Sequence, residues 1–170
     1  MSISSIRDFI EIRDGSVYVK DKAGIRNIID SLIYDAVFES DEEKKKAKFI
    51  LIKEIAKVCG AIPASIQGLY EEMGRRYPNF TVPAINIRGL TYDVSRIIFK
   101  KAMEMNVMAL IFEIARSEIG YTKQRPIEYS TVILAAAVRE GFEGPVFIQG
   151  DHFQLVRKNY LSGPDLETNY

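Results

Sequence analysis

Cysteine, histidine and tryptophan are almost missing from this chain, which has one Cys (Cys59), one His (His152) and no Trp. A single thiol excludes an internal disulfide and any CxxC metal site. Charge of one sign is also missing. Lys+Arg and Asp+Glu stand at 23 each, so no global field attracts nucleic acid or an acidic membrane, and neither is expected as a partner. No apolar run approaches the roughly 20 residues needed to span a bilayer. The first ten residues carry Arg7 and Asp8 and no long apolar core, so they do not have the form of a secretory signal. A cytoplasmic location is the default expectation. No GxxxxGK[ST] occurs, and Gly89 stands alone where a dinucleotide-binding strand would want GxGxxG. There is no solenoid-type repeat and no low-complexity segment.

What is present suits an ordinary globular domain. With 170 residues, nearly half of them apolar, the chain can bury a sizeable core. Asp14-Gly15 between the β-prone runs of residues 9–19 predicts a hairpin. Ile25, Ile28, Ile29, Leu32, Ile33, Ala36 and Val37 recur at helical spacing and predict an amphipathic helix over about 23–38. Ser40-Asp-Glu-Glu43 has the order of a capping box and opens a second helix, which Gly60 stops. Pro63 opens a third, which runs to about Gly74 and ends at Tyr77-Pro78. Lys44 to Lys46, flanked by acids, read as a solvated helix face.

From residue 80 the rhythm changes to strand, helix, strand, helix, strand. Phe80 to Ile87 is the first strand. A helix over Asp93 to about Asn106 places Val94, Ile97, Ile98, Ala102 and Met105 on one face. Val107 to Ile114 is almost wholly apolar, as a parallel strand buried on both faces should be. Glu128 to Glu140 is an Ala-rich helix stopped by Gly141. The third strand is Pro145-Val-Phe-Ile-Gln149, which leads through Gly150 to Asp151 and His152. This alternation implies right-handed βαβ crossovers and a parallel sheet. Polar strand ends fit a (β/α)8 barrel, which needs about 250 residues. About three βα units are visible here.

Parallel strands put their C-terminal ends on one edge, where such folds place their chemistry. The candidates there are Asn86, Glu113, Arg116, Ser117, Asp151 and His152. Asn86, inside an apolar strand, is either a substrate contact or a structural amide that ties down a loop. Ser117 is either a phosphate donor or a helix cap. Arg116 and Glu118 read as surface charges or a local ion pair. Asp151 is either a general acid/base or a cap, and His152 either a metal ligand or proton carrier or a locally satisfied ring.

Val82-Pro-Ala-Ile-Asn86, Phe112-Glu-Ile-Ala-Arg-Ser117 and Val146-Phe-Ile-Gln-Gly-Asp-His152, in this order and at βα spacing, resemble the class II, zinc-dependent fructose-bisphosphate aldolases. The resemblance covers about residues 80–155. It implies that 80–170 is a partial TIM-barrel domain of that type, behind a hairpin and helical extension over 1–79. It implies reversible cleavage of a sugar bisphosphate to dihydroxyacetone phosphate and an aldehyde phosphate. Fructose 1,6-bisphosphate and tagatose 1,6-bisphosphate are the two substrates at issue. Asp151 would carry the proton, His152 would be the first Zn2+ ligand, Asn86 would contact substrate, and Ser117 would bind a phosphate. The family holds its zinc with three histidines, two of them from later strands. The single His152 therefore implies an N-terminal portion, inactive alone, that works as a homo-oligomer or with a missing C-terminal half. The rival expectation is a non-catalytic barrel fragment that serves as a binding or assembly module.

Overall fold

The computed structural model describes residues 6–107 and 109–153. Strands β1 (Ile10–Arg13) and β2 (Ser16–Val19) form an antiparallel hairpin in which Arg13 faces Ser16. The two-residue loop Asp14-Gly15 has positive φ at both positions, as a type I′ turn requires. Helix α1 (Lys22–Val37) starts at Asp21, whose carboxylate accepts from the Ala23 amide. Helix α2 (Glu42–Cys59) is capped by Asp41, which accepts from Glu43 and Lys44, rather than by Ser40. It ends at Gly60 with φ of 102°.

The chain then departs from expectation. Ala61–Ala64 is a strand, β3, and the helix expected from Pro63 begins later, as α3 (Gln67–Arg76). The segment before residue 80 is therefore not only a hairpin and helices, because it contributes one strand to the main sheet. Proline tolerates this position because β3 is an edge strand, where a missing N–H can face away from the ladder. The partner that makes it a strand is β6, some 80 positions away, which local spacing does not reveal.

Strand β4 (Ala84–Asn86) is followed by helix α4 (Thr91–Glu104), strand β5 (Ile111–Ala115), helices α5 (Arg116–Thr122) and α6 (Pro126–Glu140), and strand β6 (Gly144–Asp151). The main sheet has four strands in the order β3-β6-β5-β4, and all its pairs are parallel. The expected α/β alternation is thus present, with shorter first and second strands than the spacing implied. Met108, expected in the second strand, lies outside the described residues. In α4 the buried stripe is Thr91, Ser95, Phe99 and Ala102, whereas Ile97 and Met105 are exposed. The large Phe99 ring packs 5.0 Å from both Phe112 and Phe142, and its burial outweighs that of the two aliphatics.

Strand residues Ala61, Ile85, Phe112, Ile114, Val146 and Ile148 join one core cluster with Ile25, Ile29, Phe49, Ile55 and the apolar residues of α6. All six share one face of the sheet. Residues 131–138 of α6 are buried without a break, since α6 packs against α1, α2 and α4 as well as the sheet. The opposite face carries two rows in register across the strands. One row is Ala84, Ile111, Phe147 and Ala64, and the other is Asn86, Glu113 and Gln149. Among the described residues no helix is long and apolar enough to cross a membrane.

Candidate functional site

The polar row lies toward the C-terminal ends of the strands, and Asp151 closes β6 just beyond it. Asn86, the last residue of β4, donates from Nδ2 to Oδ2 of Asp151 at 3.1 Å and to Oε2 of Glu118 at 3.3 Å. Both acceptors are carboxylates. The amide must therefore turn its NH2 group toward them, and its carbonyl oxygen stands at the other end. The second oxygen of Asp151, Oδ1, contacts Nδ1 of His152. With its proton held there, the ring presents the Nε2 lone pair outward, and the side chain is 78% exposed. His152 has φ of 52°, a left-handed conformation that costs a residue with a Cβ about 1–2 kcal/mol.

Glu118 organises this corner. Its side chain is only 5% exposed. It accepts from the Ala115 amide at 2.8 Å, from Asn86, and from Nε of Arg88 at 2.5 Å. Burial alone would push its carboxyl upward, but the three donors together overcome this and hold it below the usual carboxylate range. The expectation of Glu118 as a surface charge or a local ion pair is corrected: the side chain is buried, and its ion-pair partner is the exposed Arg88, 30 positions earlier. A local signal was available. Glu118 stands three residues after the strand end at Ala115, the spacing at which a glutamate reaches back to an N–H at the start of a helix.

The structure thus brings together Asn86, Asp151 and His152. Ser117 follows the end of β5 on the same edge and is exposed at the start of α5, outside this hydrogen-bonded cluster. Glu113 is bonded to the Gln149 side chain on the neighbouring strand. Tyr129 secures the β5 end from the helix side, with its hydroxyl donating to the Glu113 carbonyl at 2.5 Å.

A catalytic zinc takes three protein ligands. Among the described residues no three His, Cys, Asp or Glu side chains converge as a metal site. The oxygens of Glu118 are taken by Ala115, Asn86 and Arg88, and Glu113 is engaged by Gln149. One imidazole nitrogen, Nε2 of His152, is left. What the arrangement offers chemically is a carboxylate, Asp151, fixed at both oxygens and placed at a strand end to exchange a proton. Comparisons with protein-family models, curated proteins and solved structures found no match to this chain.

Proposed function

We propose that this chain is the N-terminal portion of a class II, zinc-dependent fructose-bisphosphate aldolase, and that β4, β5 and β6 are the first strands of its (β/α)8 barrel. The observation that carries this reading is the meeting of Asn86, Asp151 and His152 at the C-terminal ends of parallel strands, with Asn86 bonded to Asp151 at 3.1 Å. The one-step advance from β4 to β5 to β6, with the helices joined to one sheet face, agrees with an arc of such a barrel. β3 occupies the edge of β6 where the next barrel strand would pair. The reading therefore requires β3 to yield that edge when the following strand is present.

In cleavage of a ketose bisphosphate, Asp151 accepts the proton of the substrate hydroxyl as the carbon–carbon bond breaks, and in condensation it returns that proton. Asn86 holds the carboxylate from one side and His152 from the other, so the base enters the reaction already oriented. In the resembled family zinc supplies the electrophile for the ketone oxygen. The described residues contribute one imidazole toward such a centre, and further ligands must come from outside them. Fructose 1,6-bisphosphate is the proposed substrate, with tagatose 1,6-bisphosphate the close variant. A homo-oligomer and a cytoplasmic setting belong to the same proposal.

The test is metal content and fructose 1,6-bisphosphate cleavage, measured for the full reading frame that contains this chain. Asp151→Asn keeps shape but cannot accept a proton, so zinc should stay while kcat falls by about 10²–10⁴-fold. His152→Ala should lose zinc. The 170-residue chain by itself should bind zinc weakly and cleave nothing. Full turnover in Asp151→Asn removes Asp151 from the mechanism. Tight stoichiometric zinc with activity in the 170-residue chain overturns its reading as a portion of the enzyme.

A second reading, an assembly module without catalysis, is favoured by one observation: the sheet face that carries Phe147 and Ile62 lies outside the core cluster, and Ile62 is 51% exposed. A reading frame that continues past codon 170 with two further histidines at strand ends decides for the aldolase.

A further inference from the structure

We propose that Glu118 is the positioning residue of this site: a buried carboxylate that fixes which way round the Asn86 amide stands. Among the described residues, Asn86 is the one side chain that hydrogen-bonds both Glu118 and Asp151. If Asp151 were its sole partner, the amide could swing about its terminal torsion, a soft and nearly two-fold rotation. A second acceptor on the same side ends that freedom. Each amide hydrogen is assigned to one carboxylate, and Oδ1 is the end of Asn86 that neither carboxylate engages.

The consequence is chemical. A side-chain amide can usually donate or accept, but this one is left with an acceptor alone. Asn86 therefore receives a hydrogen bond from substrate and gives none, which selects a hydroxyl-bearing ligand over a carbonyl or carboxylate at that point. On the aldolase reading, from which this last step follows, the group received is a hydroxyl of the sugar chain beside the carbon–carbon bond that Asp151 helps to break.

Glu118 is built for the task. Oε2 takes the Ala115 amide at 2.8 Å, which ties the carboxylate to the end of β5, and Oε1 takes Arg88 at 2.5 Å. Asn86 then reads a carboxylate that backbone and cation hold in place. The site has two tiers: Glu118 is locked to the sheet, Asn86 is locked to Glu118, and Asp151 receives the remaining amide hydrogen.

The experiment is side-chain amide NMR on the 170-residue chain. In the unmodified protein one Asn86 amide hydrogen should show a cross-relaxation contact to the Glu118 γ-methylene and the other to the Asp151 β-methylene. Absence of the Glu118 contact overturns the proposal without any mutation. In Glu118→Gln the group at position 118 can itself donate, so Asn86 is free to turn. Its side-chain amide hydrogens should exchange with water about tenfold faster, the factor one hydrogen bond is worth, while backbone exchange in β6, and in β5 apart from the Ala115 amide that Glu118 itself accepts, stays unchanged. Unchanged Asn86 exchange in a folded Glu118→Gln protein overturns the assignment, and so does a loss of protection spread over the whole sheet, which marks a structural role only. Neither measurement needs substrate or metal, so the aldolase reading can fail while this assignment stands.

Discussion

At the residue scale the site depends on a carboxylate that water hardly reaches. Glu118 stays ionised because three donors outweigh its burial, and this ties stability to pH. Its folded pKa lies below its unfolded value of about 4.3. The stabilisation is therefore fully present above that value and is lost as pH falls through the lower, folded one. Urea unfolding of the native chain and of Glu118→Gln should show the largest stability gap at pH 6–7 and a closing gap below about pH 4.3. A gap that is constant down to pH 3 would mean that Glu118 is held no more favourably in the fold than in the unfolded chain.

At the element scale the helix ends carry the local instructions. Gly60 ends α2 with φ of 102°, where any side chain is strained, and a Cβ there would sit 3.0 Å from Cγ of Glu143. Gly60→Ala should cost about 1–2 kcal/mol, from the left-handed penalty alone. The cost is measurable as a lower urea midpoint at unchanged slope. An unchanged midpoint would show that the turn relaxes. The position matters because Gly60 is followed at once by β3, and its carbonyl accepts from Gly144 at the start of β6 at 2.8 Å. A cap that looks local therefore sets the entry of an edge strand.

At the scale of the whole molecule the helices before residue 80 and the sheet after it share one core. Ile25, Ile29, Phe49 and Ile55 are buried against the same cluster as Phe112, Ile133 and Val146. Helix α6 is the centre of this arrangement, so its Ala135, Ala136 and Ala137 are all fully buried. Small side chains let neighbouring elements approach closely, and a larger one has nowhere to go. Ala136→Leu should therefore destabilise by about 1–3 kcal/mol or more. A fragment of residues 80–170 would expose the α6 flank that α1 and α2 cover. It should lose cooperative unfolding by circular dichroism, and a sharp two-state transition for that fragment would contradict the shared core.

How much of this was legible in the sequence follows from how far each contact reaches. The hairpin at Asp14-Gly15, helices α1, α2 and α6, and the helix stops at Gly60 and Gly141 rest on neighbours within a few residues, and the three strands that lead to Asn86, Ala115 and Asp151, although they pair at long range, are each marked by a short apolar run. Backbone preference and apolar period determine such features, and both are written in the chain. The strand at Ala61–Ala64 rests on Gly144 to Phe147. The rotation of α4 rests on where Phe112 and Phe142 stand. The burial of Glu118 rests on Asn86 and Arg88, some 30 positions earlier. By itself the sequence determined which residues sit at strand ends, because parallel alternation brings those ends to one edge. Only the tertiary structure decided which of them touch: Asp151 with Asn86 is a contact across 65 positions, and hydrogen-bond geometry, not spacing, selects it.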